Sequence, residues 1–404
     1  MTGLDRDQRL LFVTRSARLF GYGLISVILV LYLTEVGFDG SRVGTLLTLT
    51  LLGDAAISLW MTTRADRLGR KKMLLGGAGL MLLAAVVFAV TRDFWPLCFA
   101  ATIGVISPSG NEVGPFLAVE QSALTQNLGS ERRTSVLAWY NLVGSLATAV
   151  GAQVGGAAVS VLQASGVDAV SSYRVVVLAY GVVGLTLLGL FTLLSPAVEP
   201  AADRRAGKLV LGLSHSQGIV ARLSVLFSLD AFGGGLVVQS LVAYWFHRRF
   251  GVEPALLGTI FLGANVLAGF SALSAAWVAR RIGLLNTMVF THTPSSILTF
   301  TIPFTGSFTV AAILFLLREG LSEMDVPTRQ SYLMAVVRPE ERTFAGGVTN
   351  LARMCARAVA PVLAGSAIQV VTLGAPIFAA ATMKVIYDAL LFVSFRRIKP
   401  PEER

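Results

Sequence analysis

Residues 62–72 read Thr62-Thr63-Arg64-Ala65-Asp66-Arg67-Leu68-Gly69-Arg70-Lys71-Lys72. Basic residues crowd this short segment, and apolar runs at 42–63 and 73–91 flank it. A helix needs roughly 20 apolar residues to cross the hydrocarbon core of a bilayer, so both flanks are long enough to span. Lys and Arg collect in cytoplasmic loops, which places this one on the cytoplasmic side. Gly69 permits a tight turn that a Cβ would obstruct. Asp66 can accept charge-assisted hydrogen bonds from neighbouring bases or from the open N–H groups of a helix start.

The same alternation of apolar runs and basic loops covers the whole 404-residue chain. It is 54% apolar and only 14% charged, with a mean hydropathy of +0.70. Soluble domains carry about a quarter charged residues, so lipid must replace water over much of this surface. A soluble enzyme, a nucleic-acid binder and a disordered protein are thereby excluded. The net charge of +10 reflects basic loops rather than an acidic partner. Cys98 and Cys355 both lie in apolar runs, so neither a disulfide framework nor a metal site is expected.

Twelve runs are candidate spans: 10–34, 42–63, 73–91, 95–122, 134–160, 173–194, 220–246, 255–278, 286–304, 307–336, 343–370 and 374–395. Asp5-Arg6-Asp7-Gln8-Arg9 precedes the first, and no A-x-A site follows it, so a retained helix is expected rather than a signal peptide. The longest connection carries Asp203, Arg204, Arg205 and Lys208. It divides the chain into an N-terminal six-helix bundle (1–195), a cytoplasmic linker (196–219) and a C-terminal bundle (220–404). An even number of spans puts both termini on one side. At the span ends and in the loops, that side receives 21 Lys and Arg, and the opposite side only Arg42, Arg92, Arg174, Arg248 and Arg249. Both termini are therefore expected to be cytoplasmic, in a multi-pass protein of the inner or plasma membrane.

The chain also repeats itself. A shift of 209 places Gln121-Ser122 on Gln330-Ser331, Arg133-Thr134 on Arg342-Thr343 and Asn141-Leu142 on Asn350-Leu351. A shift of 214 places Gly21, Gly37, Gly44-Thr45 and Gly69 on Gly235, Gly251, Gly258-Thr259 and Gly283. Chance matches among Leu, Ala and Gly do not readily supply the polar pairs. Parallel repeats of this kind are related by an axis along the membrane normal, with a substrate site near the midplane.

With the repeat in hand, the 62–72 loop resembles the G-x-L-a-D-R-x-G-R-K signature of the major facilitator superfamily. Thr62 stands for the usual Gly and Arg64 for the usual Leu. Its second-half counterpart is reduced to Arg280-Arg281-Ile282-Gly283. Gly151-Ala152-Gln153-Val154-Gly155-Gly156 is similar to the G-P-x-x-G-G antiporter motif of that superfamily's drug–proton exporters, with Ala152 in place of Pro. The resemblance implies an all-α polytopic membrane protein of 12 transmembrane helices in two pseudo-symmetric six-helix bundles, working as a monomer without a cofactor. It implies a cytoplasmic latch formed by Asp66, Arg67, Gly69 and Arg70, with Glu120, Arg133, Arg329 and Arg342 as gate residues near helix ends. Gly151, Gly155 and Gly156 would allow close packing of span five.

Charges inside the spans carry the functional reading. Each costs about 2.5–3.5 kcal/mol near the bilayer centre, so they must pair, titrate or face a polar cavity. On the resemblance, Arg18, Asp54, Glu112, Asp230, Glu319, Glu323, Arg353 and Arg357 reach one aqueous chamber and bind substrate or protons. Glu319 and Glu323 are four apart and face the same way, an arrangement in which one carboxyl is expected to hold a proton. Lys384 and Asp388 have the spacing of a local pair. Arg15 is close enough to the cytoplasm to snorkel, and His292, beside Pro294, is a weak candidate.

The expected function is secondary transport of a small organic solute by alternating access, driven by protons and directed outward. Proton-coupled uptake of an organic anion or zwitterion is the alternative, then sodium coupling or passive facilitation. No HExxH, GxSxG or Walker A sequence is present, so neither a membrane enzyme nor ATP-driven pumping is expected.

Overall fold

Asp5 starts the first helix. Its side chain accepts from the Gln8 amide while the Gln8 side chain accepts from the Asp5 amide, a reciprocal cap that satisfies two orphan donors. Helix α1 (Arg6–Glu35) then runs for 30 residues, about 45 Å. This computed structural model describes residues 5–111, 116–125, 130–199, 216–338 and 341–398. Within them follow α2 (Gly40–Leu68), α3 (Arg70–Val90), α4 (Phe94–Ile103), α5 (Phe116–Thr125), α6 (Ser130–Ala164) and α7 (Ala169–Thr192). After a 3-10 turn at Pro196–Val198 come α8 (Gln217–Leu236), α9 (Gln239–Phe250), α10 (Pro254–Ile282) and α11 (Leu284–Thr301). The chain ends with α12 (Phe308–Ser322), α13 (Asp325–Val336), α14 (Arg342–Val370) and α15 (Ala375–Phe395).

The twelve apolar runs all become helix, with one departure from expectation. The fourth, seventh and tenth are each two helices rather than one. In the tenth the break falls at Glu323-Met324, just ahead of Pro327 in the first turn of α13, where a missing N–H costs nothing. Among the described residues, nine helical stretches are long and apolar enough to cross a membrane. The fourth, ninth and tenth runs fall short, two because they are broken and the ninth because of its many Thr and Ser.

Contacts divide the chain into two compact units, Met1–Arg205 with Gln239–Leu262, and Ala206–Val238 with Gly263–Arg404. This grouping departs from the expected boundary, because the break after Leu236 gives α9 and the first turns of α10 to the first unit. In that unit α1 packs against α6, α7 and α9. In the second, α8 packs against α14 and α15, and α11 against α12, α13 and α15. Its core gathers Leu223, Phe227, Met288, Tyr332, Tyr387 and Leu391.

The repeat is visible in the backbone. Gly69 joins α2 to α3 at φ +104°, and Gly283, its match under the shift of 214, joins α10 to α11 at φ +87°. A side chain rarely adopts either conformation. Gly69→Ala is expected to cost about 1–3 kcal/mol. Gly79→Ala, in an open position inside α3, is expected to gain about 0.5–1 kcal/mol. Thermal unfolding of both variants in one detergent checks the opposite signs; equal shifts would contradict the turn argument.

Candidate functional site

Each unit holds a cluster of buried charge. In the first, Arg18 of α1 and Glu120 of α5 are both fully buried. They meet in a bidentate pair, Nη1 to Oε1 at 2.8 Å and Nη2 to Oε2 at 2.7 Å. The Thr14 hydroxyl donates to Oε1 at 3.1 Å and the Tyr140 hydroxyl to Oε2, while the Phe116 ring lies 4.4 Å from the guanidinium carbon. Arg15 donates from Nε to the Tyr140 carbonyl at 2.8 Å and stacks 4.2 Å from the Tyr140 ring centre. Being 5% exposed, it does not reach the aqueous edge as expected. Arg18, expected among chamber-lining ligands, is instead matched to Glu120, expected at a gate.

In the second unit a chain of charged and polar side chains links four elements. Asp325 and Arg329 pair within α13. Arg329 Nη1 also donates to Asp230 Oδ2 of α8 at 3.2 Å. Lys384 Nζ of α15 donates to Asp230 Oδ1 at 3.1 Å and lies 3.2 Å from His292 Nε2 of α11. His292 Nδ1 is 2.9 Å from Asp388 Oδ1, and Thr293 donates to Asp388 Oδ2 at 3.0 Å. The expected local pair of Lys384 with Asp388 is thus replaced by two cross-helix contacts, because α8 and α11 bring better-placed partners. Arg329, expected at a gate, and His292 both join this cluster, and Asp230 sits at its centre.

Two helix breaks meet in the first unit. The Ser240 amide of α9 donates to the Pro108 carbonyl at 3.1 Å, and Gln239 Nε2 donates to Ser26 Oγ of α1 at 2.8 Å. Thr148 donates to the Gly110 carbonyl at 3.2 Å. Val105 holds φ +54° at the start of this irregular stretch, its carbonyl accepting from Tyr180 at 3.0 Å. In a bilayer, irregular backbone is tolerated only where protein or a wet cavity satisfies it.

Residues 11–361 match the model of the Major Facilitator Superfamily. The chain belongs to this superfamily. An uncharacterized membrane protein of Saccharomyces cerevisiae, YJR124C, is 29% identical over 395 residues, covering 89% of this chain and 88% of its own. The quinolone resistance protein NorA of Staphylococcus aureus is 34% identical over 87 residues, 22% of each chain. The crystal structure of a mutant of the nucleoside transporter NupG superposes with a TM-score of 0.76 at 14% identity, covering 96% of this chain and 99% of that one. The protein is therefore a multi-pass transporter of the superfamily, acting on a small molecule.

The superfamily's loop signature has an anchor that reading the sequence missed. Glu199 Oε2 accepts from the Arg70 amide at 2.7 Å and Oε1 from the Lys71 amide at 3.1 Å. This carboxylate therefore caps the N-terminus of α3, where anions are favoured. The Arg70 side chain donates to the Val198 carbonyl at 3.1 Å and to Ser122 Oγ at 2.7 Å. The side chains of Asp66, Arg67 and Arg133 lie outside the described residues, as does Glu112. Arg342 is exposed at the start of α14.

The span-five glycines are packed against backbone. A Cβ on Gly151 would lie 2.1 Å from the Phe20 carbonyl oxygen, one on Gly155 2.7 Å from that of Leu24, and one on Gly156 2.0 Å from that of Pro254. Among the remaining candidates, Asp54 is half-buried on α2 and accepts from Ser58 at 3.2 Å. Glu319 pairs with Arg318 at 2.7 Å and accepts from Ser322 at 3.2 Å. Glu323 is at the break after α12, and Arg353 and Arg357 are half-buried on α14.

Proposed function

We propose that this transporter exports a small organic molecule in exchange for protons, by alternating access, with both termini cytoplasmic in the inner or plasma membrane. The observation that carries the coupling is the buried chain Asp325–Arg329–Asp230–Lys384–His292–Asp388. Lys384 lies about 14 Å into α15 by helical rise, so a proton gained or lost there acts in low dielectric, where one charge changes the preferred partner of every neighbour. Export is favoured by the likeness to NorA and by the glycine motif at 151–156. Sodium as the coupling ion is the natural competitor, since carboxylates bind it too. The basic loops support the orientation, and a monomer is the working assembly.

Uptake of an organic anion is the second reading. It is favoured by Arg353 and Arg318, whose buried Nε atoms make no hydrogen bond among the described residues and would suit a carboxylate.

The test uses purified protein in liposomes carrying an internal pH dye. A quinolone carboxylate and a panel of other organic anions and cations serve as probes. Solute movement is expected to drive protons the opposite way, and Asp230→Asn to remove most of that proton flux. Protons moving with the solute would establish uptake instead. Solute flux without protons, unchanged in Asp230→Asn, would overturn the coupling.

A further inference from the structure

The contacts of His292 determine where its proton sits. Nδ1 faces Asp388 Oδ1 at 2.9 Å and Nε2 faces Lys384 Nζ at 3.2 Å. A carboxylate only accepts hydrogen bonds and an ammonium only donates them. Nδ1 therefore carries the hydrogen, Nε2 presents its lone pair, and the ring is neutral in this arrangement. Lys384 bridges that lone pair to Asp230 Oδ1 at 3.1 Å, while Nε2 itself is 3.6 Å from the same oxygen. A proton on Nε2 would set an N–H against an ammonium, two donors of like charge with Asp230 Oδ1 as the acceptor within reach of both. Protonated His292 and Lys384 therefore compete for that oxygen.

We propose that His292 is the coupling proton's binding site, and that protonation at Nε2 makes His292 replace Lys384 as the partner of Asp230. The inference rests on the proton-coupled reading for its role in transport. Asp230 from α8 and Lys384 and Asp388 from α15 face the ring nitrogens, and the Tyr387 ring lies 5.8 Å away; Arg329 of α13 and Arg353 of α14 act on Asp230, and Asp325 of α13 on Asp388. Arg318 and Glu319 of α12 act on Glu323 in the break behind it, as do Lys384 and Arg329. Most of these stay in place during the exchange. Asp230 Oδ2 remains with Arg329, Asp388 keeps both Thr293 and the Nδ1 hydrogen, and the exchange involves Asp230 Oδ1 alone. Lys384 is the group that must move. A proton from water thus displaces a cation from Asp230 of α8.

The chain has three histidines, His215, His247 and His292, so its imidazoles can be resolved by NMR. The full chain would be labelled with 15N,13C-histidine and 15N,13C-lysine in lipid nanodiscs, with Lys384→Arg and His292→Gln samples for assignment. The titration runs between about pH 8 and 5, where imidazoles change charge. Near the alkaline end the His292 ring is expected as the Nδ1–H tautomer. The doubly protonated ring and the displaced Lys384 signal are expected to appear with one shared midpoint. In His292→Gln the Lys384 signal stays still.

An Nε2–H tautomer at the alkaline end, or a Lys384 signal indifferent to the ring, overturns the exchange. The wild-type midpoints decide this even if the variant does not fold. Transport separates the two readings. Proton-driven flux of the quinolone or of any transported probe is expected to be lost in His292→Gln, with solute exchange retained. A variant that keeps proton-driven flux overturns the role of His292 and leaves proton coupling standing. Wild-type protein that moves solute without protons overturns the coupling, and with it the transport role of His292.

Discussion

Glu120→Ala is expected to destabilise the first unit by about 3–5 kcal/mol, the usual cost of stranding one member of a buried ion pair. The magnitude follows from the surroundings. The Arg18 guanidinium is fully buried and spends both terminal nitrogens on Glu120, and Thr14 and Tyr140 aim their hydroxyls at the same carboxylate. Removing the acid takes its ion-pair partner from a buried cation and its carboxylate acceptor from the Tyr140 hydroxyl, while Thr14 keeps the Leu11 carbonyl at 3.0 Å. Net stabilities are about 5–15 kcal/mol, so much of the protein should be lost during extraction. Glu120→Gln keeps the shape and one acceptor, and should fall between the two. Arg18→Leu combined with Glu120→Leu removes both charges and should recover much of the loss, because a buried pair gains little over an apolar replacement. Yield after size-exclusion chromatography and thermal unfolding in one detergent read all three. An Ala variant as stable as wild type would mean the pair is hydrated.

Gly151→Ala is the second large effect. The added methyl would meet the Phe20 carbonyl oxygen at 2.1 Å, and the Cα of Gly23 lies 3.1 Å from the same point. Neither obstacle is a side chain that can swing away. Helices α1 and α6 must separate along a seam that also includes Gly23, whose own Cβ would lie 2.2 Å from the Thr148 carbonyl. Overpacking costs about 1–3 kcal/mol in ordinary cores, and the upper end is expected here because the clash is backbone on backbone. Gly189→Ala, in an open position on α7, is the control and should be neutral or slightly stabilising. Unfolding midpoints in detergent compare them, and a Gly151→Ala midpoint within error of the control would refute the seam. The antiporter-like motif therefore has a packing cause that holds whatever the direction of transport.

Some of the site was legible and missed. In span nine, His292, Ser295, Ser296 and Thr299 share one helical face, and all four are buried. A polar stripe turned inward within an otherwise apolar run marks a polar interior, and it distinguishes His292 from His215 and His247. Glu199 had no such signal. It lies in a connection, and its role depends on the fold returning it to the start of α3.

Helical class, the twelve spans and the repeat follow from local rules that the linear chain obeys by itself. Lipid demands about 20 apolar residues per crossing, and a turn such as that at Gly69 accepts few residues other than glycine. The same rules placed the charges on their spans. Partner choice required the tertiary structure. Spacing of four put Lys384 and Asp388 on one face of α15, yet Lys384 reaches Asp230 and Asp388 reaches His292. An ion pair in low dielectric takes whichever opposite charge is nearest and best oriented. That distance is set by how α8, α11, α13 and α15 pack, which no single helix encodes.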